Sequence, residues 1–303
     1  MTLTGSIVVG SVAERVRFGP ALLVLALWVG VGVPVLHHWF TPSGWATRLG
    51  VSDPLGGIRI HFVGGAAAAV ATWRVGPRYG RFTREGLPNA LPAHNLPVSY
   101  LGALLFVPGW AGWAQIQRPE LPASELLEQG LLALAAAGMT ATFYAWFRFG
   151  KPDIPLTING LIAGLVGVSC GLGHFSSLAA LLVGIGSGVL VVLGTVWLDR
   201  LRLDDPGGVV PMHGLAGLWG ALAVGLLHRE EGLLLGGGPR LLLVQALISA
   251  AIGVLSAGMA LLSLVPFLRW GRLRATEEEQ ITGLDAVEHG NDAYADFQRV
   301  EFK

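Results

Sequence analysis

The sequence predicts an all-α polytopic membrane protein, a helix bundle with an inverted internal repeat, and three observations predict it. Hydrophobic residues make up 52% of the chain and charged residues only 13%, well under the charged share of about 25% in soluble domains. Apolar stretches of about 20 residues, the length that crosses a hydrocarbon layer, recur along the chain. A short pattern then occurs twice: Asp-Pro, Gly-Gly and a histidine inside an apolar run. The first copy runs from Asp53 through Gly56 and Gly57 to His61, the second from Asp205 through Gly207 and Gly208 to His213. Each histidine lies 8 residues past its aspartate.

In chain order, Leu3 to Ala13 is half a span, stopped by Glu14-Arg15-Val16-Arg17, charges that hydrocarbon does not accept cheaply. Eight stretches long enough to span follow at 19–40, 56–73, 97–117, 124–147, 155–175, 177–198, 208–228 and 241–268. Residues 1–268 therefore read as a membrane domain of about 9 segments, and 269–303 as a polar tail. Met1 to Val12 has no basic n-region and no cleavage site, so it does not read as a signal peptide. The 44 glycines suit helices that approach closely in a bilayer.

Lysine and arginine set the orientation. Alternate loops put 15 of them on one side, among them Arg15, Arg17, Arg74, Arg78, Arg81, Arg148, Arg200, Arg269, Arg272, Arg274, Arg299 and Lys303. The other side holds only 5: Arg48, Arg59, Arg118, Arg229 and Arg240. The positive-inside rule makes the first side cytoplasmic and places the C-terminus inside a cell (inner) membrane. Asp53 then enters from outside and Asp205 from inside, so the two copies are antiparallel, the mark of an inverted repeat. Eight residues at about 1.5 Å each carry either histidine about 12 Å inward, toward the middle of a layer about 30 Å thick.

Two readings of the histidines compete. They are structural, holding helices together through hydrogen bonds worth about 1 kcal/mol. Or they line a polar path, the default for ionisable groups inside a membrane. Their symmetric placement favours the path, which suits a small neutral hydrogen-bonding molecule or a proton. Asp53 and Asp205 are expected to cap their helices, with Pro54 and Pro206 in the first turn. Asp53 has a second expected role, biasing the outer mouth toward cations. Arg59 lies about 200° around the helix from His61 and is expected to snorkel away from the path. His37, His38, His94, His174, His228 and His289 are not expected to be ligands.

Other classes fit poorly. Zero net charge implies no nucleic-acid partner. The single cysteine, Cys170, rules out an intrachain disulfide and a four-cysteine metal site. No His-Glu-x-x-His pair supports a metalloenzyme and no phosphate-binding loop supports an ATP-driven pump, so neither metal nor cofactor is expected and the chain does not read as an enzyme.

Six blocks together resemble the ammonium transporter (Amt/Rh) family. These are Asp53 to Gly65; His94-Asn95-Leu96-Pro97; Gly109-Trp110-Ala111-Gly112-Trp113; Gly150-Lys151-Pro152 with Asn159-Gly160 and Ala163-Gly164-Leu165; Asp204-Asp205-Pro206 through His213-Gly214 to Trp219-Gly220; and the tail from Glu277-Glu278-Glu279 through Gly283-Leu284-Asp285 and Glu288-His289-Gly290 to Tyr294. The resemblance implies a homotrimer with one pore per subunit. In each, ammonium is held in an outer vestibule, loses a proton, and crosses as ammonia past twin histidines, here His61 and His213. It further implies ammonium recruitment at Asp53, Phe40, Trp110 and Gln117, and a pore gate at Trp113. Phe40 and Gln117 stand where the family carries tryptophan and serine, and Trp113 where it carries phenylalanine. The family usually has eleven membrane helices, so the chain resembles a member shortened by the first two and the outer half of the third. The tail is implied to pack under a neighbouring subunit and to help dock a P-II signal protein. The alternative is a non-conducting ammonium sensor or binding subunit that signals through this tail.

Overall fold

Helix starts in this apolar chain are set by side chains that satisfy the first free backbone N–H groups. Asn95 accepts from the Val98 N–H at 3.0 Å, Asp153 from Leu156 at 2.8 Å and Ser176 from Ala179 at 3.2 Å, each the usual work of an N-cap. These caps open the helices Leu96–Gln117, Ile154–Ser169 and Ser177–Arg200. Pro97 and Pro155 lie in the first turns of the first two, where a missing N–H costs nothing. The computed structural model describes residues 2–271 and 273–291. Among the described residues the ordered elements are helices, and β pairing is limited to two isolated bridges, Val16 with Arg274 and Phe82 with Pro88.

Six helices are long and apolar enough to cross a membrane: Phe18–His38, Leu96–Gln117, Ala123–Phe149, Ser177–Arg200, Val210–Leu227 and Arg240–Arg269. These correspond to six of the eight expected stretches. The other two are helical without meeting that measure. Ile154–Ser169 has only 16 residues. The stretch at 56–73 is a π-helical segment, Gly57–Phe62, continuing as Val63–Val75, and Arg59, His61 and Arg74 dilute its apolar character. Thr2–Ser11 is a short helix whose Ile7 is buried.

Small residues bring the central helices together. Gly164 and Gly184 both lie against the Ala133 carbonyl, so Ala123–Phe149, Ile154–Ser169 and Ser177–Arg200 pack backbone to backbone. Around that contact lies a core including Leu126, Leu165, Val168, Val183 and Val224.

Charge gathers at the arginine-rich end. Arg15 is fully buried, and its guanidinium donates to the carbonyls of Gly76 at 2.7 Å, Ser11 at 3.0 Å and Asp204 at 2.6 Å. Arg78 forks onto the Asp204 carboxylate at 2.8 and 3.1 Å and reaches Glu14 at 2.6 Å. Arg81 pairs with Asp199 and with Asp204. Burial pushes the Asp204 carboxyl up, but the Arg78 hydrogen bonds outweigh it and hold the group below its ordinary value. The loops at 12–17, 76–81 and 199–205 are thereby tied to one carboxylate.

The tail to Asn291 is fastened to the arginine-rich end, while its two short helices have no buried residue. Arg17 N–H donates to the Leu273 carbonyl at 2.9 Å and Ala275 N–H to the Arg15 carbonyl at 3.0 Å. Arg274 reaches the carbonyls of Val75 and Pro77, both at 2.7 Å, and Arg17 pairs with Glu279 at 2.8 Å. Two short helices follow, Glu277–Thr282, opened by a Thr276/Glu279 capping box, and Leu284–His289. Arg272, Tyr294, Arg299 and Lys303 lie outside the described residues.

Candidate functional site: a histidine pair between antiparallel helices

Both copies of the repeated pattern begin with a carboxylate feeding the start of a helix. Asp53 accepts from the Ile58 and Arg59 N–H groups, each at 2.9 Å, and Asp205 from Val210 at 2.7 Å. In each copy the first N–H bound lies 5 residues past the aspartate. Pro54 and Pro206 stand before the helical starts at Gly57 and Val210, not in the first turn as expected. The loop between carries the chain into the helix through a left-handed residue, Gly56 at φ +94° or Gly208 at φ +61°, a region glycine enters without steric cost.

Each copy then runs through π-helix, Gly57–Phe62 and Val210–Leu215, and each π segment contains its histidine. A π turn widens the helix and redirects side chains, and such turns concentrate at functional positions. The two helices cross tightly. A Cβ at Gly65 would fall inside the Gly214 backbone, while a Cβ at Gly217 would press on the Gly57 carbonyl and the Phe62 amide. Advancing along one helix meets earlier residues of the other, so they cross antiparallel.

At the crossing the two imidazoles meet. His61 Nδ1 and His213 Nδ1 are 3.0 Å apart, the ring centroids 5.0 Å, and the planes differ by 7°. Both residues are buried, at 3% and 6% exposure. One Nδ1 must carry hydrogen and donate while the other accepts, an arrangement that two neutral rings satisfy by sharing one proton. Its two outer nitrogens, the Nε2 atoms, are therefore one acceptor and one donor. Among the described residues no group of three metal-ligating side chains forms a metal site.

His61 opens onto a cavity of about 490 Å³ walled by Phe106, Trp110, Trp113, Leu105 and Ser169. Trp110 is buried, and its indole N–H donates to Ser169 Oγ at 2.9 Å. Trp113 is 39% exposed, and its indole donates to the Leu55 carbonyl at 3.0 Å. These bonds fix two ring faces beside the histidine pair.

The remaining site residues lie elsewhere. Phe40 and Asp53 line a second, more polar cavity of about 350 Å³, shared with Arg59, His174 and His228. Arg59 turns away from His61 and donates to the Asp53 and Pro54 carbonyls at 2.7 and 3.1 Å. His174 and His228 stack with centroids 4.6 Å apart, and Arg118 reaches His174 Nε2 at 3.3 Å. Gln117 ends its helix half-buried and lines neither of these cavities. The structure thus joins Trp110 and Trp113 to His61, joins Phe40 to Asp53, and leaves Gln117 apart from both groups.

Ser169, the Leu55 carbonyl and the Gly65–Gly214 crossing are parts of the site that sequence reasoning missed. Only the glycines carried a signal, since each follows its histidine by no more than one helical turn.

Comparison with known proteins agrees with this architecture. The sequence profile of the Ammonium Transporter Family matches residues 1–294. Ammonium transporter Amt2 of Archaeoglobus fulgidus is 32% identical over 98% of this chain and 68% of its own length. Ammonium transporter Amt2 of Methanocaldococcus jannaschii is 31% identical over 95% and 67%. The chain spans about two thirds of the length of these relatives. Among solved structures, the Sensor Amt Protein has a TM-score of 0.88 at 28% identity, over 95% of this chain and 74% of that one. Mep2 of Candida albicans, at 24% identity over 91% and 64%, shares the fold with a TM-score of 0.82. With its profile matched almost end to end and its six apolar helices, this multi-pass membrane protein belongs to the Ammonium Transporter Family.

Proposed function

We propose that the chain conducts ammonium or ammonia across a cell membrane through a path that passes the His61–His213 pair. The observation that carries this reading is the 3.0 Å Nδ1 contact at the end of an aromatic-walled cavity. A buried ammonium ion without a carboxylate beside it is costly, whereas a neutral molecule that can both donate and accept matches the two outer nitrogens of the pair. Trp110 and Trp113 offer ring faces that attract a cation before it gives up its proton, and Trp113 acts as the gate. Phe40 and Asp53 serve the outer mouth, Gln117 the rim of the vestibule, and Asp205 caps the returning helix.

The same reading counts Thr2–Ser11, Gly57–Val75 and Ile154–Ser169 as membrane elements beside the six long helices, giving about 9 segments in one domain, 1–268. The arginine excess on one side supports a cytoplasmic tail, in a bundle that would reside in the cell (inner) membrane. We extend the proposal to a homotrimer whose tail is open to a P-II signal protein. Methylammonium uptake into vesicles tests the reading: wild-type chain should exceed empty vesicles, and His61→Ala and His213→Ala should fall well below wild type. Uptake by the wild type no better than empty vesicles rejects conduction.

A second reading is a sensor or binding subunit that signals through its tail. Two observations favour it: the likeness to the solved Sensor Amt Protein, and the ion pair and backbone bonds that fasten the tail to loops beside the histidine helices. Ammonium-dependent binding of a P-II protein without uptake would support the sensor over the conduit.

A further inference from the structure

A second histidine pair stands in the turns that follow two helices rather than inside them. His174 lies between Ile154–Ser169 and Ser177–Arg200, and His228 just past Val210–Leu227. Their rings stack with centroids 4.6 Å apart and planes 22° apart. Both wall the polar cavity of about 350 Å³ that Phe40, Asp53 and Arg59 share. His228 is buried and His174 half-buried.

Hydrogen bonding requires neutral rings here. His228 Nδ1 receives the backbone N–H groups of Glu230 and Glu231, both at 3.2 Å; an N–H only donates, so this nitrogen carries no hydrogen. His174 Nε2 faces the Arg118 guanidinium at 3.3 Å, which also only donates. A proton added at either nitrogen removes an acceptor and sets a cation against the neighbouring ring. Little nearby charge offsets it. Arg118 is held by the Leu172 carbonyl at 2.7 Å and pairs with Glu120, and Arg229 pairs with Glu125 at 3.1 Å. Across the cavity the Asp53 carboxylate accepts from backbone N–H groups, and Arg59 adds a positive charge. Glu230 and Glu231 are exposed, where water screens them. Burial first, then Arg118, His228 and Arg229, pull His174 from the ordinary 6.5 down to about 4.

The pair also fastens a loop. Arg229 N–H donates to the His174 carbonyl at 3.0 Å, and Gly232 N–H to the His228 carbonyl at 2.9 Å. The loop then carries the exposed Leu234 and Leu235, followed by Gly236 and Gly238, both at positive φ with open space around them. Glycine leaves that stretch able to turn once its start is let go. We propose that the His174–His228 stack is an acid-released latch: with both rings neutral it holds the loop at 228–239 against the outer cavity, and a proton on either ring parts them and frees the loop. Because the folded form favours the neutral rings, the latch is fully closed above 6.5 and loosens as pH falls toward about 4. Only its effect on transport rests on the conduction reading, since the added positive charge would weaken cation recruitment beside Phe40 and Asp53.

Hydrogen–deuterium exchange of the full chain in lipid nanodiscs, corrected for the intrinsic pH dependence of exchange, reads the latch at the Glu230 and Glu231 amides. In wild type their protection should fall about 10- to 30-fold between about pH 7.5 and about pH 5, while the core helices keep theirs. His174→Phe, which keeps a stacking ring that takes no proton, should change less than about 3-fold. His228→Asn, whose side-chain oxygen can still accept from the two amides, should respond by about 5-fold. His38→Gln, exposed at another helix end, should respond like wild type. Unchanged protection in wild type, an equal loss in His174→Phe, or an equal loss across the whole bundle overturns the latch. Methylammonium uptake over the same window should show a rising KM in wild type and a flatter one in His174→Phe. A loop released by acid in a chain without uptake rejects conduction and keeps the latch; uptake with a loop indifferent to pH rejects the latch and keeps conduction.

Discussion

The chain buries polar groups in two places by opposite means. At the helix crossing, His61 and His213 share a single hydrogen bond, and among the described residues no charged side chain bonds to either. At the arginine-rich face, Arg15, Arg78 and Arg81 surround Asp204, and nearly every donor has an acceptor. A neutral pair is cheap to bury and contributes little stability, which leaves it available to a passing molecule. A saturated ion network binds loops together and leaves nothing over for a ligand. On the proposed conduction reading, burial alone does not mark the functional group; unspent hydrogen-bonding capacity does.

The largest expected effect breaks the network. Asp204→Asn would remove the carboxylate that offsets the charges of the fully buried Arg15 and the mostly buried Arg78, at a cost of about 3–5 kcal/mol, read as a fall in thermal stability in detergent with little direct effect on uptake per folded molecule. His61→Ala should invert that pattern. It removes one interhelical bond, costing about 1 kcal/mol of stability. Leaving His213 unpaired in the proposed path is worth about 1–3 kcal/mol, or about 5- to 150-fold in methylammonium flux. Equal losses of stability and flux in both variants would erase the contrast between the two regions.

A smaller change tests whether the crossing, rather than the histidines alone, makes the pair. Gly65→Ala must push the helices apart against the Gly214 backbone, an overpacking cost of about 1–3 kcal/mol, and should reduce uptake while both imidazoles remain. Gly258→Ala, where an added Cβ meets nothing within 4 Å, should be neutral or slightly stabilising. The smallest effect is in pH. The Asp204 carboxyl is held below its unfolded value of 3.8, so its contribution is fully present above that pH and is lost as pH falls through the lower folded value. Thermal stability should decline in that acid window in the wild type and less in Asp204→Asn.

Much of this was legible in the residues. The spacing from Asp53 to His61 and from Asp205 to His213, with the alternation of arginine between loops, implied two helices bringing their histidines together from opposite faces. Six blocks carried the family. What stayed hidden depends on three-dimensional neighbours. Local sequence does not announce a π turn, because the widening at Gly57–Phe62 and Val210–Leu215 is enforced where the helices cross. Phe40 and Trp110 looked like members of one vestibule, yet they wall different cavities: Phe40 lies in the turn after Phe18–His38, and Trp110 lies within Leu96–Gln117. The tail's contacts with the arginine-rich end stayed hidden because most of its anchors are backbone carbonyls at Val75, Pro77 and Arg15, which no side-chain pattern reveals.

The single hydrogen between the two Nδ1 atoms gives the dyad a sense, and that sense has a bookkeeping consequence. If a proton is passed in at one Nε2 and out at the other, the shared hydrogen shifts across and the dyad is left reversed. A second proton in the same direction must wait until the rings return. A molecule that slips by intact leaves the orientation untouched, so only net proton movement would carry the delay of a reset.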